Sequence, residues 1–456
     1  MENLSTETLP WNIFRKLSFR FAFIFFILFI VLLDWSSNPV LSYFYYEGGL
    51  AKFLDVIIAW TGKYIFHVTY TIISPYDAQH NDRTYIYLLY FIFTMVAILG
   101  TIIWSALDRK RTNYKTLYYW LTTIIRYYLA FTLFLFALEK FFKMQFPDLG
   151  LYTLTEPVGN LSPMSLAWAF FGYSYGYNIF MGIAESAALL LLFRRTMTFG
   201  AILTLVTLAN VMAVNFNYDV HAKMYPTALF VMTLTLLIPH LNRVFKFFFT
   251  NQTTSLPVIQ APVFKKRWFN ISKSALKLFL IGYFIIFSVK DYFVSKQKKN
   301  NKEMSKSQSE ISGIFDVKSF VVNKDTLLDG SPQRWNQIVI GGSRGRIRLR
   351  GDSVAYMFVS VANRELLVYK NQKHLSTNEQ EILNEYGFSQ STSVGMDSIL
   401  IARQVMSKFQ FTLADSSTLM LNGTIDHNSV SIKAKKRSVE IKDFRLTKNG
   451  FHWVTE

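Results

Sequence analysis

Apolar residues fall in blocks of roughly twenty before residue 295 and alternate with polar ones after residue 312. A block of that length is what a helix needs to cross about 30 Å of hydrocarbon. Alternation is the period of a strand with one buried face. The blocks predict seven spans, at 20–37, 84–107, 116–142, 165–193, 199–218, 226–246 and 274–293. The alternating segments include "GIFDVKSFVVN", "WNQIVIGG", "VAYMFVSV", "TLMLNGTID" and "SVSIKAKK", with turn signals "DGSP", "GGSRG", "NGT" and "KNG" between strands. They predict eight or nine antiparallel strands, interrupted by the helix-like stretch 377–388. The expected fold is therefore an α-helical polytopic membrane protein of about seven spans plus a C-terminal antiparallel β barrel or sandwich domain. A barrel of about eight strands is expected to have its interior filled by side chains rather than by a ligand.

The same pattern divides the chain. Residues 1–83 hold the first span and an external segment, and 84–246 a helix bundle. Residues 247–294 supply a cytoplasmic loop and the last span, 295–311 a lysine-rich linker, and 312–456 the β domain. The external segment, 50–74, is apolar enough to suggest another crossing, but it carries Lys52, Asp55, Lys63 and His67. It reads better as an amphipathic helix on the outer surface.

Charge orients these spans. The formal net charge is +18. Much of it flanks predicted spans: Arg15, Lys16 and Arg20; Arg109, Lys110 and Arg111; Arg194 and Arg195; Arg243 and Lys246; and "KKRW" at 265–268. Placing these groups inside follows the positive-inside rule and makes the N-terminus cytoplasmic. Seven crossings then make the C-terminal domain periplasmic, in a bacterial inner membrane. The positive charge is expected to meet anionic lipid rather than nucleic acid. The chain contains no cysteine, which excludes disulfides, thiolate ligands and cysteine nucleophiles. No HxxxH or HExxH spacing occurs, so no metal site is expected, and no Ser/His/Asp or paired-carboxylate set declares itself, so no catalytic residue is expected.

Polar groups inside the apolar blocks are the candidate chemistry. At 1.5 Å per residue, Arg126 lies about 16 Å in from Lys115, and Glu185 about 13 Å in from Arg194. Asn210 lies at similar depth on the next span, so Arg126, Glu185 and Asn210 are expected to meet as an intramembrane belt. An ionisable group at that depth needs a partner, a proton or a function. The belt either pins helices together or holds lipid, quinone or a proton. Asn178, Gly182 and Glu185 share one helical face, and Gly172 and Gly176 form a GxxxG that suits close helix packing. Glu139, Asn217, Asp219, His221 and Lys223 form a second candidate cluster toward the outer surface.

Residues 145–225 resemble the DoxX-like membrane proteins. The pieces that carry the likeness are "SPMSLAW", "FMGIAESAALLLLFRRT", "NFNYDVHAK" and, just before them, "RYYLAFTLFLFALEK". The resemblance covers about 84–246 and implies a bundle of four to five helices. It also implies kinship with a membrane subunit of a quinone-linked oxidoreductase, which would work with a cofactor-bearing partner. Gly313-Ile-Phe315 and Arg445 weakly resemble the lipocalin G-x-W and closing arginine, with Phe in place of Trp. The expected role is a non-catalytic binding or assembly component with no covalently bound cofactor. Its bundle would take lipid, quinone or partner helices, and its β domain a membrane or periplasmic protein. The alternative is a quinone-linked redox subunit.

Overall fold

The structure, a computed structural model, describes residues 10–33, 49–70, 72, 82–250, 253, 267–303, 311–341, 344–349, 354–362, 365–369, 405–425 and 427–448. The helix-like stretch 377–388, the tripeptide "RGD" at 350–352, the basic stretch 265–266 and the closing aromatics of 451–454 lie outside them.

In chain order the helices are α1 (Ile13–Leu32), α2 (Leu50–Tyr64), α3 (Thr84–Leu107), α4 (Lys115–Phe141), the short turn α5 (Leu151–Leu154), α6 (Pro163–Tyr173) and α7 (Tyr175–Ser186). A three-residue-per-turn stretch, Ala187–Leu192, extends α7. Then come α8 (Met197–Asn217), α9 (Met224–Leu237), α10 (Leu241–Phe249) and α11 (Arg267–Glu303). Among the described residues nine strands follow: β1 (Gly313–Val322), β2 (Asp325–Thr326), β3 (Gln337–Gly341), β4 (Arg344–Arg348), β5 (Val354–Ala362), β6 (Glu365–Tyr369), β7 (Val405–Leu413), β8 (Thr418–Ile425) and β9 (Asn428–Lys436). A last turn, α12 (Arg445–Lys448), closes the described chain.

Among the described residues, five helices are long and apolar enough to cross a membrane: Thr84–Leu107, Lys115–Phe141, Tyr175–Leu192, Met197–Asn217 and Met224–Phe249. The chain forms two compact units. One holds residues up to 141 together with 179–289; the other holds 142–178, 290–381 and 390–456.

In the helical unit, α1 starts where the Asn12 side chain accepts the Arg15 N–H at 2.8 Å. A continuous apolar core runs through Phe29, Leu89, Phe93, Ile125, Leu129, Leu191, Leu229 and Met232. Ile98, Leu99, Ile102 and Ile103 of α3, and Phe199, Val206 and Phe216 of α8, are exposed, as expected of a face that lipid covers. Arg20, expected only to orient α1, is buried. It donates to Ser105 Oγ at 2.6 Å, to the Asp108 carbonyl and to Tyr114 OH, which in turn donates to Asp108. Helix α2 has 15 residues, about 22 Å, which is too short to cross. It buries Ala51, Leu54, Ile58 and Thr61 and exposes Phe53, Val56, Trp60 and Tyr64. Tyr85 of α3 donates to its Asp55 at 2.8 Å.

The predicted span 165–193 is not one helix. Ser174 is extended (φ −106°, ψ 115°) and ends α6. Its hydroxyl then accepts the Tyr177 N–H at 3.1 Å, which caps the start of α7. The cap competes with a helical hydrogen bond at that residue, so the apolar run breaks there. Helix α6 belongs to the second unit, with Ser162 capping it and Pro163 at its first position.

In the second unit the strands form one curled antiparallel sheet in the order β2-β1-β3-β4-β5-β6-β7-β8-β9. Strand β1 also pairs with β9, from Phe315 opposite Lys436 to Val322 opposite Val430, so the ladder returns to its first strand. Phe315, Phe320, Trp335, Ile338, Ile347, Phe409, Leu421 and Ile432 pack as one core inside the curl. Gly423 faces Phe409 across β7–β8. A Cβ there would lie 2.1 Å from the Lys408 carbonyl oxygen, so only glycine fits the pairing. Arg445 is exposed; the cation over the Phe315 ring is Lys436, at 5.9 Å.

Candidate functional site

Helix α4 carries Arg126 and Lys140 on nearly one face, since fourteen residues make almost four turns. Both face the chain segment formed by α7 and its three-residue-per-turn extension. Lys140 Nζ lies 2.8 Å from Glu185 Oε1, and both side chains are buried. Arg126 Nε donates to the Leu191 carbonyl at 2.7 Å. The expected Arg126–Glu185–Asn210 cluster is therefore not assembled.

Two physical reasons account for this. Glu185 is level with Lys140, fourteen residues or about 21 Å along α4 from Arg126, so Leu191, not Glu185, lies at the level of Arg126. On α8 the buried face runs through Ala201, Thr204, Leu208 and Asn215, which leaves Asn210 on the exposed side. Glu185 retains one buried oxygen, Oε2, that makes no hydrogen bond, and Arg126 Nη2 is likewise buried and unpartnered. Lys277 of α11 donates to the Leu192 carbonyl at 2.6 Å.

The glycines differ in what they meet. A Cβ at Gly182 would sit 2.5 Å from the Phe141 ring, so this glycine lets α7 approach α4. Gly172 faces the Pro147 carbonyl, 2.5 Å from where its Cβ would be, and the Gly172 carbonyl accepts from the Lys143 ammonium at 2.8 Å. Gly176 is exposed, and a Cβ there would make only an ordinary contact with Ser174 Oγ at 3.9 Å. The GxxxG pair thus packs a loop at one member and no other helix at the other.

The outer cluster is partly assembled. Lys223 Nζ lies 2.9 Å from Asp219 Oδ1, and hydrogen bonding from Lys223 holds the Asp219 carboxyl below the usual carboxylate range. Asn217 donates to the Ala213 carbonyl one turn back along α8. The group that organises this end is Asp82, just before α3. Its carboxylate accepts the N–H groups of Lys223 (2.6 Å) and Met224 (3.0 Å) at the start of α9, and its own N–H donates to the His221 carbonyl. A carboxylate on a helix N-terminus satisfies donors that have no partner within the helix. Glu139 is half-buried on α4.

In the second unit, the loop between α5 and α6 is held to the sheet by a buried ion pair. Arg346 of β4 bonds the Glu156 carboxylate and the Thr155 hydroxyl, with the two charged side chains 2% and 4% exposed. The Arg346 guanidinium also lies over the Tyr152 ring at 5.4 Å. An open cleft of about 630 Å³ lies nearby, lined by Leu151, Gly313, Lys436, Glu440, Lys442 and Thr447. Glu156 and Arg346 are 190 residues apart, and neither stands out in the sequence. Among the described residues, no three His, Asp or Glu side chains come together as a metal site would need.

No family model matches the chain, and no solved structure matches it. It is similar to the uncharacterized protein YwoB of Bacillus subtilis (strain 168), at 36% identity over 113 residues. That match covers 25% of this chain and 71% of YwoB. The chain belongs to the same family as YwoB.

Proposed function

We propose that this chain is a non-catalytic component of a bacterial inner membrane, in which a DoxX-like bundle anchors a sheet domain that meets a protein partner outside. The observation that carries the reading is the buried Arg346–Glu156 pair. It ties the loop after α4 to the sheet, and the two can touch only on one side of a membrane. An even number of crossings must then separate residue 178 from residue 313. Helices α7, α8 and α9–α10 supply three, so α11 is the fourth.

Packing along α11 supports this. Lys277 lies beside the Tyr127 ring, Phe284 stacks on Phe131 at 4.1 Å, and Tyr292 stacks on Phe142. The two helices thus advance together from 127 to 142 and from 277 to 292, about 22 Å. With α1, seven spans result, the N-terminus is cytoplasmic and the sheet is periplasmic. The bundle's lipid-facing surface is where lipid, quinone or partner helices would bind.

A cysteine-free chain allows a direct test. Ser417→Cys should react with a membrane-impermeant maleimide on intact cells, and Asn113→Cys should not; the reverse labelling overturns the topology. Deleting 300–456 should release the chain from a larger native assembly while leaving the bundle folded. Unchanged migration would sink the partner role.

The unpartnered Oε2 of Glu185 favours a second reading, a quinone-linked redox subunit. Under it, the purified protein retains quinone detectable by mass spectrometry, and Glu185→Gln abolishes function without unfolding the chain. Absence of quinone together with a functional Glu185→Gln variant excludes it.

A further inference from the structure

The inner end of the α7 extension gathers more positive charge than it needs. The last carbonyls of a helix carry roughly half a negative charge and commonly attract one cation. Here Arg126 binds the Leu191 carbonyl and Lys277 the Leu192 carbonyl, and Arg194 lies within electrostatic range of both. Among the described residues, neither Arg126 nor Lys277 forms an ion pair with a carboxylate. Arg126 is 2% exposed, and its Nη2 is buried with no hydrogen-bond partner. A buried guanidinium N–H left unmade is costly, and the buried Arg126 and half-buried Lys277 repel one another, with Arg194 exposed beside them.

We propose that Arg126, Arg194 and Lys277 form a binding site for a phosphate-bearing anion. A guanidinium matches two phosphate oxygens with its parallel N–H groups, and an ammonium adds a point charge. The Lys277 ammonium lies between the Tyr127 and Phe193 rings, at 5.6 and 5.5 Å, which limits its hydration. Phe193, Phe199 and Leu278 nearby in sequence are exposed and apolar, suited to acyl chains. Basic pockets between spans on the cytoplasmic side are where anionic headgroups bind. The site depends on the membrane reading above but not on the partner role of the sheet, so either can fail alone.

The test uses full-length protein, delipidated in detergent, with thermal unfolding followed at constant ionic strength. Phosphatidylglycerol, phosphatidylcholine and inorganic phosphate are added separately, and retained lipid is measured by native mass spectrometry. Phosphatidylglycerol should raise the apparent Tm and remain bound, while phosphatidylcholine does neither. An equal shift with inorganic phosphate assigns the site to the free anion instead of the headgroup. Lys277→Gln should weaken the binding about tenfold, the loss of one charge-assisted hydrogen bond, and Lys277→Arg should restore it. Arg194→Gln provides a second variant should Arg126→Gln not fold. No shift with either phosphate source, equal shifts with both lipids, or wild-type binding by Lys277→Gln and Arg194→Gln together would each overturn the proposal and leave the cations as helix caps.

Discussion

Two buried ion pairs, one in each unit, differ in how they arise. Lys140 and Glu185 lie on α4 and α7, two successive apolar blocks of the chain, inside a bundle whose surroundings are apolar by composition. Glu156 and Arg346 lie 190 residues apart, on a loop and a strand. In the bundle the pair follows from a charge that lipid cannot solvate. In the sheet unit it follows from burying a loop against a strand whose outer face would otherwise be wet. The first pair answers a solvent problem; the second makes a tertiary contact specific.

Truncating one partner should separate the two cases. Arg346→Ala strands the Glu156 carboxylate where the folded sheet gives it no water, and should cost about 3–5 kcal/mol of the second unit's stability. Denaturant unfolding of the full chain, followed by a fluorophore attached at Ser417→Cys in the otherwise cysteine-free chain, measures it. A loss below about 1 kcal/mol would mean that water reaches the pair.

Glu185→Ala should cost less, about 1–3 kcal/mol. Lys140 stands in the last turn of α4, and its long side chain can swing outward to the interface. Glu185→Gln should keep most of the stability, because an amide oxygen still accepts from Lys140. Thermal unfolding in detergent compares the two, and equal losses would show that charge, not hydrogen bonding, holds the helices.

Glycine substitutions probe the same bundle contact more gently. Gly182→Ala should lower the apparent Tm, since its Cβ meets the Phe141 ring. Gly176→Ala should be neutral or raise stability by at most about 1 kcal/mol, the helix propensity gain at an exposed position with no tight neighbour.

The smallest effect expected is that of Asp316, near the start of β1. Burial would raise its carboxyl, but hydrogen bonds from Arg437 (2.7 Å) and Gln337 prevail and hold it below the ordinary range. A lowered folded value contributes stability above the unfolded pKa of about 3.9 that is lost as pH falls through the folded one. Asp316→Asn should therefore flatten the acid limb of the unfolding curve by lowering stability slightly at neutral pH while leaving it unchanged at the lowest pH.

Much of this architecture is legible in the chain. Twenty-residue apolar blocks, basic flanks and period-two alternation follow from backbone hydrogen bonding in hydrocarbon and from the pleat of a strand. Those rules act locally, so residues 84–107 read as a helix before any partner is known. The need for a partner at Glu185 was also legible, because an isolated carboxylate at that depth is unstable in any fold. Which partner it takes was not. Only the packing of α4 against α7 and its extension, and the reach of two long side chains on α4, send Arg126 to the Leu191 carbonyl and Lys140 to Glu185. Asp82 on α9 and Glu156 under Arg346 were equally hidden. Sequence alone determined which segments seek lipid and which form strands, since solvent and backbone impose that residue by residue. The pairing of charges was left to the tertiary structure, because it depends on distances between segments that no local pattern encodes.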